Sequence, residues 1–191
     1  MRLFIAVDVS SKAGIIKLQQ DIAEFEGWGP DEVRPVEKQN LHFTLMFLGK
    51  AEGSMVDRIK SKLSQLRFEP FRITYTGIGG HPKIDSADKI WVGVDEEGAA
   101  RLSALAGSVA GKLNEIKLEP DKPFIPQVPI FHSKEGRLEL GKLFAKYREK
   151  SFGCDLIDKI HLKKSEAGSG AGSITTTTTY SRIFTKAMGA P

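Results

Sequence analysis

One run constrains this chain more than any other segment: Asn40-Leu41-His42-Phe43-Thr44-Leu45-Met46-Phe47-Leu48-Gly49. Apolar and polar residues alternate through its first half, the period-two signature of a half-buried strand. Successive strand side chains point to opposite faces, so Phe43, Leu45 and Phe47 are expected to share the core face. His42 and Thr44 then share the other. An imidazole that titrates near neutral pH stands beside a hydroxyl that both donates and accepts. This pair suits holding a phosphate and moving a proton. Such a site wants a second histidine, and no comparable setting for one is evident.

The segments around this strand alternate between extended and helical patterns. Leu3 to Val7 reads as a strand. Ser10 or Ser11 is placed to cap a helix carrying Ile15, Leu18, Ile22 and Phe25, which ends at Gly27-Trp28-Gly29-Pro30. A short extended piece near Val33 to Val36 precedes the His42 strand. A second helix carries Met55, Ile59, Leu63 and Leu66. Strands are expected at Phe71 to Thr76 and Ile90 to Val94, flanking a loop at Gly77-Ile78-Gly79-Gly80-His81-Pro82. Leu102, Leu105, Val109 and Leu113 form the clearest helical stripe. A strand from Phe124 to Phe131 follows, then a helix around Leu140, Leu143, Phe144 and Tyr147. Further strands are expected at Leu156 to Leu162 and Ile174 to Thr185. Several connections are too short for crossover helices, so the sheets should be largely antiparallel or mixed. The expected fold is α+β with outer helices, and the recurrence of strand, helix, strand in both halves suggests two lobes. Residues 167–179, a Gly/Ser/Ala run followed by five threonines, read as a mobile loop entering a terminal strand.

Composition excludes some functions. The 191 residues are 40% hydrophobic and 27% charged, as in an ordinary globular protein. No apolar run reaches the length that spans a bilayer, so no membrane partner is expected. Met1 to Asp8 reads as a strand interrupted by a charge, not as a signal peptide. Cys154 is the only cysteine, which fits a reducing, cytoplasmic setting. With four scattered histidines and one thiol, neither a structural metal nor another cofactor is expected. The net charge of +4 leans toward polyanionic partners.

In this order and with these flanks, the motifs resemble the 2H phosphoesterase superfamily, and within it the archaeal and bacterial RNA 2′,3′-cyclic phosphodiesterases, historically called 2′-5′ RNA ligases. The resemblance runs from Met1-Arg2-Leu3-Phe4-Ile5-Ala6-Val7-Asp8 through the His42 block and Gly77-Ile78-Gly79. It continues through Ile90-Trp91-Val92-Gly93-Val94, Lys122-Pro123-Phe124-Ile125-Pro126 and Ile160-His161-Leu162-Lys163-Lys164-Ser165. It implies that residues 1–191 form a single bilobal domain: two pseudo-symmetric lobes of antiparallel sheet facing across a central cleft. Each lobe gives one His-x-Thr motif. The histidines are metal-independent acid and base, and the threonines hold phosphate. The implied partner is RNA, or a tRNA fragment, with a cyclic phosphate end, met by a monomer. Reversible 2′-5′ ligation is implied as well.

The first motif maps onto His42 and Thr44. The second maps onto Gln127 and Pro129, with His132 where the family often carries an arginine. Gln127 thus holds the catalytic position without a group that exchanges protons near pH 7. Pro129 holds a phosphate-binding position without a hydroxyl, and His132 holds another. On an ideal strand, the odd offset from Gln127 would turn His132 to the opposite face, roughly 16 Å along at about 3.3 Å per residue. Only a bulge or the strand end would bring it back. His81 is expected in an exposed turn and His161 toward solvent beside Lys163. Trp91 is expected in the core. Two functions stay open: an enzyme impaired by Gln127 and Pro129, and an RNA-end binding protein without catalysis.

Overall fold

The computed structural model describes residues 2–29, 31–51, 53–134, 137–167 and 178–188. In chain order the elements are β1 (Arg2–Asp8), α1 (Ala13–Glu26), β2 (Val33–Pro35), β3 (His42–Lys50), α2 (Ser54–Ser64), β4 (Phe71–Lys83) and β5 (Ser86–Val94). They continue with α3 (Glu96–Asn114), β6 (Val128–Ser133), α4 (Gly141–Tyr147), β7 (Ser151–Ile157), β8 (Lys159–Ala167) and β9 (Thr178–Ala187). The strands form a four-stranded sheet, β3-β1-β8-β9, and a five-stranded sheet, β2-β6-β5-β4-β7. Neighbouring strands pair antiparallel throughout, so the α+β architecture is the one observed. Among the described residues, no helix is long and apolar enough to cross a membrane.

One apolar cluster joins the two sheets. It draws Ile5 and Phe43 from the first, Ile73, Val92 and Ile130 from the second, and Leu102 and Val109 from α3. α3 forms because its stripe recurs at helical spacing and Asp95 caps it, accepting the Gly98 N–H. It lies against both β3 and β4. α1 follows a strand of the first sheet yet packs on β7 of the second. The approach is close enough that a Cβ at Gly14 would fall 1.7 Å from the Phe152 carbonyl oxygen. Asp155 of β7 adds a polar tie: its carboxylate accepts the Ser10 and Ser11 N–H groups and the Tyr75 hydroxyl. Ser10 and Ser11 are therefore anchored by Asp155, and neither side chain caps α1, whose cap position is Lys12.

Several sequence expectations shift. The Gly77–Pro82 loop is part of β4, which runs through it beside β5; a bulge at Gly77 absorbs the irregularity with φ of 62°. The strand expected over Leu156 to Leu162 breaks at Asp158, and its halves belong to different sheets. The strand expected from Phe124 begins only at Val128. Phe25 is not core: it is 47% exposed, with the Lys146 ammonium 3.7 Å from its ring centroid. Trp91 lies outside the core cluster; it is half-buried, its ring laid where a Cβ on Gly79 would stand. The 168–177 part of the Gly/Ser/Thr-rich segment lies outside the described residues.

Candidate active site

β3 pairs with β1 in a register that places His42 opposite Asp8, Thr44 opposite Ala6, Met46 opposite Ile5 and Phe47 opposite Phe4. Leu45 is the extra residue of a bulge, so Leu45 and Met46 both turn inward. The alternation resets, and Phe47 emerges on the His42 face, 52% exposed. The expectation that Phe47 is core fails for that reason.

The His42 ring is fixed at both nitrogens. Nδ1 lies 2.6 Å from the Asn40 carbonyl oxygen. A carbonyl only accepts, so Nδ1 carries the proton of the neutral ring. Nε2, left with its lone pair, stands 3.1 Å from Thr44 Oγ1 and accepts from that hydroxyl. Burial pushes the His42 pKa down to about 4, with help from the Lys163 ammonium; the Asn40 bond and Asp8 act in the opposite direction. Phe4 stacks at a tilt 5.1 Å away, and Tyr180 approaches edge-on at 5.2 Å.

Behind this face lies a buried charge cluster that the sequence reading missed. His161 is 1% exposed and Lys163 2% exposed, so His161 does not face solvent. Lys163 Nζ donates to Asp8 Oδ1 at 2.7 Å. Arg182 grips Asp8 Oδ2 at 2.9 Å through Nε and 2.7 Å through Nη2. Burial alone would raise the Asp8 pKa, but the Lys163 bond and the surrounding cations outweigh it and hold the carboxyl below its usual range. His161, within 2.9 Å of Thr185 Oγ1, is driven to about 4, chiefly by burial. All four residues from Ile160 to Lys163 are buried, so neither face of β8 is open to solvent there. The available signal was Asp8: a charge ending an apolar central strand needs a buried partner.

The second sheet supplies the opposing wall. In β6, Phe131 pairs with Ile90 and Pro129 with Trp91, leaving Ile130 as the extra residue. This bulge brings Pro129 and His132 to one face, which is what the ideal-strand offset had denied. His132 sits in a row of three strands, paired with Arg34 on β2 and Lys89 on β5. Burial lowers its pKa, then Lys89 and Arg34, against a smaller pull from Asp88. His42, Thr44, Phe47 and Tyr180 from one sheet and Lys89, Pro129 and His132 from the other line a single cavity of about 340 Å³. Gln127 precedes β6, half-buried, its N–H bonded to the Ile125 carbonyl at 2.9 Å. It is not among the residues lining the cavity. A larger hollow of about 670 Å³ between α1 and α4 is lined by lysines, acids and aromatics without any imidazole.

Comparison with known proteins agrees with this arrangement. Residues 7–91 match the family described as LigT like Phosphoesterase. An RNA 2′,3′-cyclic phosphodiesterase of Archaeoglobus fulgidus is 35% identical over 167 residues, covering 86% of this chain and 91% of the relative. Its namesake in Aquifex aeolicus is 34% identical over 85% of each chain. Among solved structures, TT0787 of Thermus thermophilus superposes with a TM-score of 0.74 at 21% identity, over 100% of this chain and 99% of that one. LigT of E. coli, complexed with 3′-AMP, gives 0.70 at 20% identity over 98% and 97%. Identity over most of the length, with both sheets in place and His42-x-Thr44 on the cleft wall, means that the chain belongs to the LigT-like phosphoesterase family of the 2H superfamily.

Proposed function

We propose that this chain hydrolyses RNA ends bearing a 2′,3′-cyclic phosphate to a 2′-phosphate, with His42 and His132 as the proton-transfer pair. The observation that carries the reading is that these two imidazoles, from different sheets, line one cavity beside the Thr44 hydroxyl. Opening the cyclic diester needs a proton removed from water on one side of phosphorus and a proton given to the departing oxygen on the other. His132, flanked by Lys89 and Arg34, resists protonation and is suited to take the water's proton. The new P–O bond forms as the bond to the 3′-oxygen breaks, and His42 delivers its proton to that oxygen. His42 as the fold surrounds it is neutral at pH 7. A bound phosphate anion favours the imidazolium and makes it a donor. Thr44 and Lys89 are placed to hold nonbridging oxygens as charge develops. A 5′-hydroxyl entering in place of water gives 2′-5′ ligation by the same steps.

The test is a synthetic RNA with a 2′,3′-cyclic phosphate end. Conversion to a 2′-phosphate, undiminished by chelator, is the expected result. His132→Arg separates proton transfer from phosphate holding, because arginine keeps a cation but does not titrate near neutrality. It should lower kcat by roughly 10²-fold or more. Retained turnover would reduce His132 to a phosphate contact. Gln127 and Pro129 favour one second reading, an RNA-end binding protein that keeps the cleft without the chemistry. Tight binding with no conversion would select it. Monomeric action is part of the proposal, and light scattering of the purified chain checks it.

A further inference from the structure

A smaller hollow of about 100 Å³ adjoins the main cavity. It is lined by Arg34, Pro35, Val36, Glu37, Asn40, His132 and Tyr180. Val36, Asn40, His132 and Tyr180 line both spaces, so the two share a wall. The volume equals roughly three waters at about 30 Å³ each, far below the roughly 300 Å³ at which pockets for whole small ligands begin. It suits a single compact group. Its chemistry suits an anion. Arg34 lines this hollow together with His132 of one sheet and Tyr180 of the other, which places it between the two sheets at the edge of the cleft. Burial keeps the Tyr180 phenol protonated, its pKa raised, so it remains a donor. Glu37 is the opposing charge, and Gln39 Nε2 donates to its Oε2. The main cavity, at about 340 Å³, is at the small end of ligand pockets and has room for a chain end, not a strand.

We infer that the Arg34 hollow seats the phosphodiester one nucleotide upstream of the reacting end, so that part of the strand's binding energy comes from beyond the reacting nucleotide. This rests on the activity proposed above and specifies its substrate. Arginine matches a phosphodiester with paired N–H donors, and the row Arg34–His132–Lys89 then follows the backbone from the upstream phosphate toward the reacting one.

The experiment compares adenosine 2′,3′-cyclic phosphate with the dinucleotide ApA ending in the same group. The dinucleotide should have a kcat/KM at least about tenfold higher, the size of one good charge-assisted contact. Arg34→Gln should erase most of that ratio through KM, and Arg34→Lys should recover part of it. Inorganic phosphate added to the mononucleotide should not reproduce the gain, since the upstream group is tethered. Equal kcat/KM for the two substrates overturns the inference. So does an Arg34→Gln variant that lowers both alike. If wild-type protein turns over neither, the proposed activity itself fails. Fluorescence anisotropy with a labelled RNA trinucleotide carrying a 3′-phosphate then still decides the subsite: Arg34→Gln should weaken binding about tenfold, and unchanged affinity sinks it.

Discussion

The strands β3 and β6 are the same device with different chemistry loaded into it. From His42 to Met46, burial runs half-buried, buried, half-buried, buried, buried, and from Gln127 to Phe131 it runs identically. Counted from His42 and from Gln127, each stretch carries a bulge at its fourth position, Leu45 and Ile130, against a central neighbour, β1 and β5. Each therefore turns its sixth residue back onto the cleft side: Phe47 in one, His132 in the other. The inward residues, Phe43, Leu45 and Met46 against Val128, Ile130 and Phe131, are all large and apolar. The residues turned to the cavity differ: His42, Thr44 and Phe47 on one wall, Pro129 and His132 on the other. Packing constrains the first set, because volume changes in a close-packed interior are felt at once. Nothing in the fold constrains the second set, which answers to chemistry. The same backbone device carries a histidine and a threonine to the cavity on one wall, and a proline and a histidine on the other.

The largest effect should come from the intact half. His42→Gln keeps a polar side chain at the wall but ends proton exchange there, and kcat on cyclic-phosphate RNA should fall by roughly 10²–10⁴-fold. A loss under about tenfold would mean that β3 is no more catalytic than β6. Rebuilding the altered half is the converse test. Gln127→His with Pro129→Thr puts the His-x-Thr pattern implied by the resemblance at the entry to β6, and turnover should rise by about tenfold if His132 supplies part of general-base catalysis, as proposed. A rise of roughly 10³-fold or more would show that His132 contributes little. No change would show that position 127 does not reach the reacting phosphate.

The two halves differ also in how their histidines are surrounded. His42 stands over the buried Asp8–Lys163 pair, whereas His132 stands beside the half-buried Arg34 and exposed Lys89. Lys163→Met removes a cation that depresses His42, so the His42 pKa should move up from about 4 toward its ordinary 6.5. Because His42 must carry a proton to act as the acid, kcat/KM near neutral pH should rise with that pKa, while the same substitution leaves the surroundings of His132 alone. Stability links to the same groups. His42 and His161 are neutral in the folded chain, with pKa values near 4, against 6.5 when unfolded. As pH falls below about 6.5, the unfolded chain takes up protons that the folded chain refuses until about pH 4. Stability should be full above that window and decline through it, read as a falling urea midpoint between pH 7 and pH 4.5. A flat midpoint would mean that these rings protonate freely in the fold.

What was legible in the sequence, and what was not, follows the same division. The α3 stripe and the alternation of His42 to Leu45 were readable because period alone specifies them. The α+β class followed from short connections between extended segments. The site was half readable: His42 and Thr44 declare themselves, and their position on the cleft wall follows from alternation. The bulges did not declare themselves, because a bulge is a property of two strands in register and a single sequence shows only one. That is why Phe47 was expected inside and His132 on the far face. Lys163 and His161 were misread for a related reason. Alternation reports one covered face, and β8 is buried on both by residues distant in sequence, which no local pattern reveals. The switch of sheets at Asp158 was hidden in the same way, marked only by the charged pair Asp158-Lys159 between apolar residues.

The smallest predicted effect tests the bulge itself. Leu45 is 4% exposed and Phe47 is 52% exposed, although simple alternation would treat them as equals. Leu45→Ala should cost about 2–5 kcal/mol, as buried leucine truncations do. Phe47→Ala should cost only about 0.5 kcal/mol, as befits a surface substitution. Because Phe47 lines the cavity with His42, the same change should raise KM for cyclic-phosphate RNA a few-fold with little change in kcat. Denaturant unfolding of the two variants in parallel gives the answer. A loss from Phe47→Ala as large as that from Leu45→Ala would place Phe47 in the core, remove the bulge from β3, and with it the structural equivalence that sets His132 on the cleft face of β6.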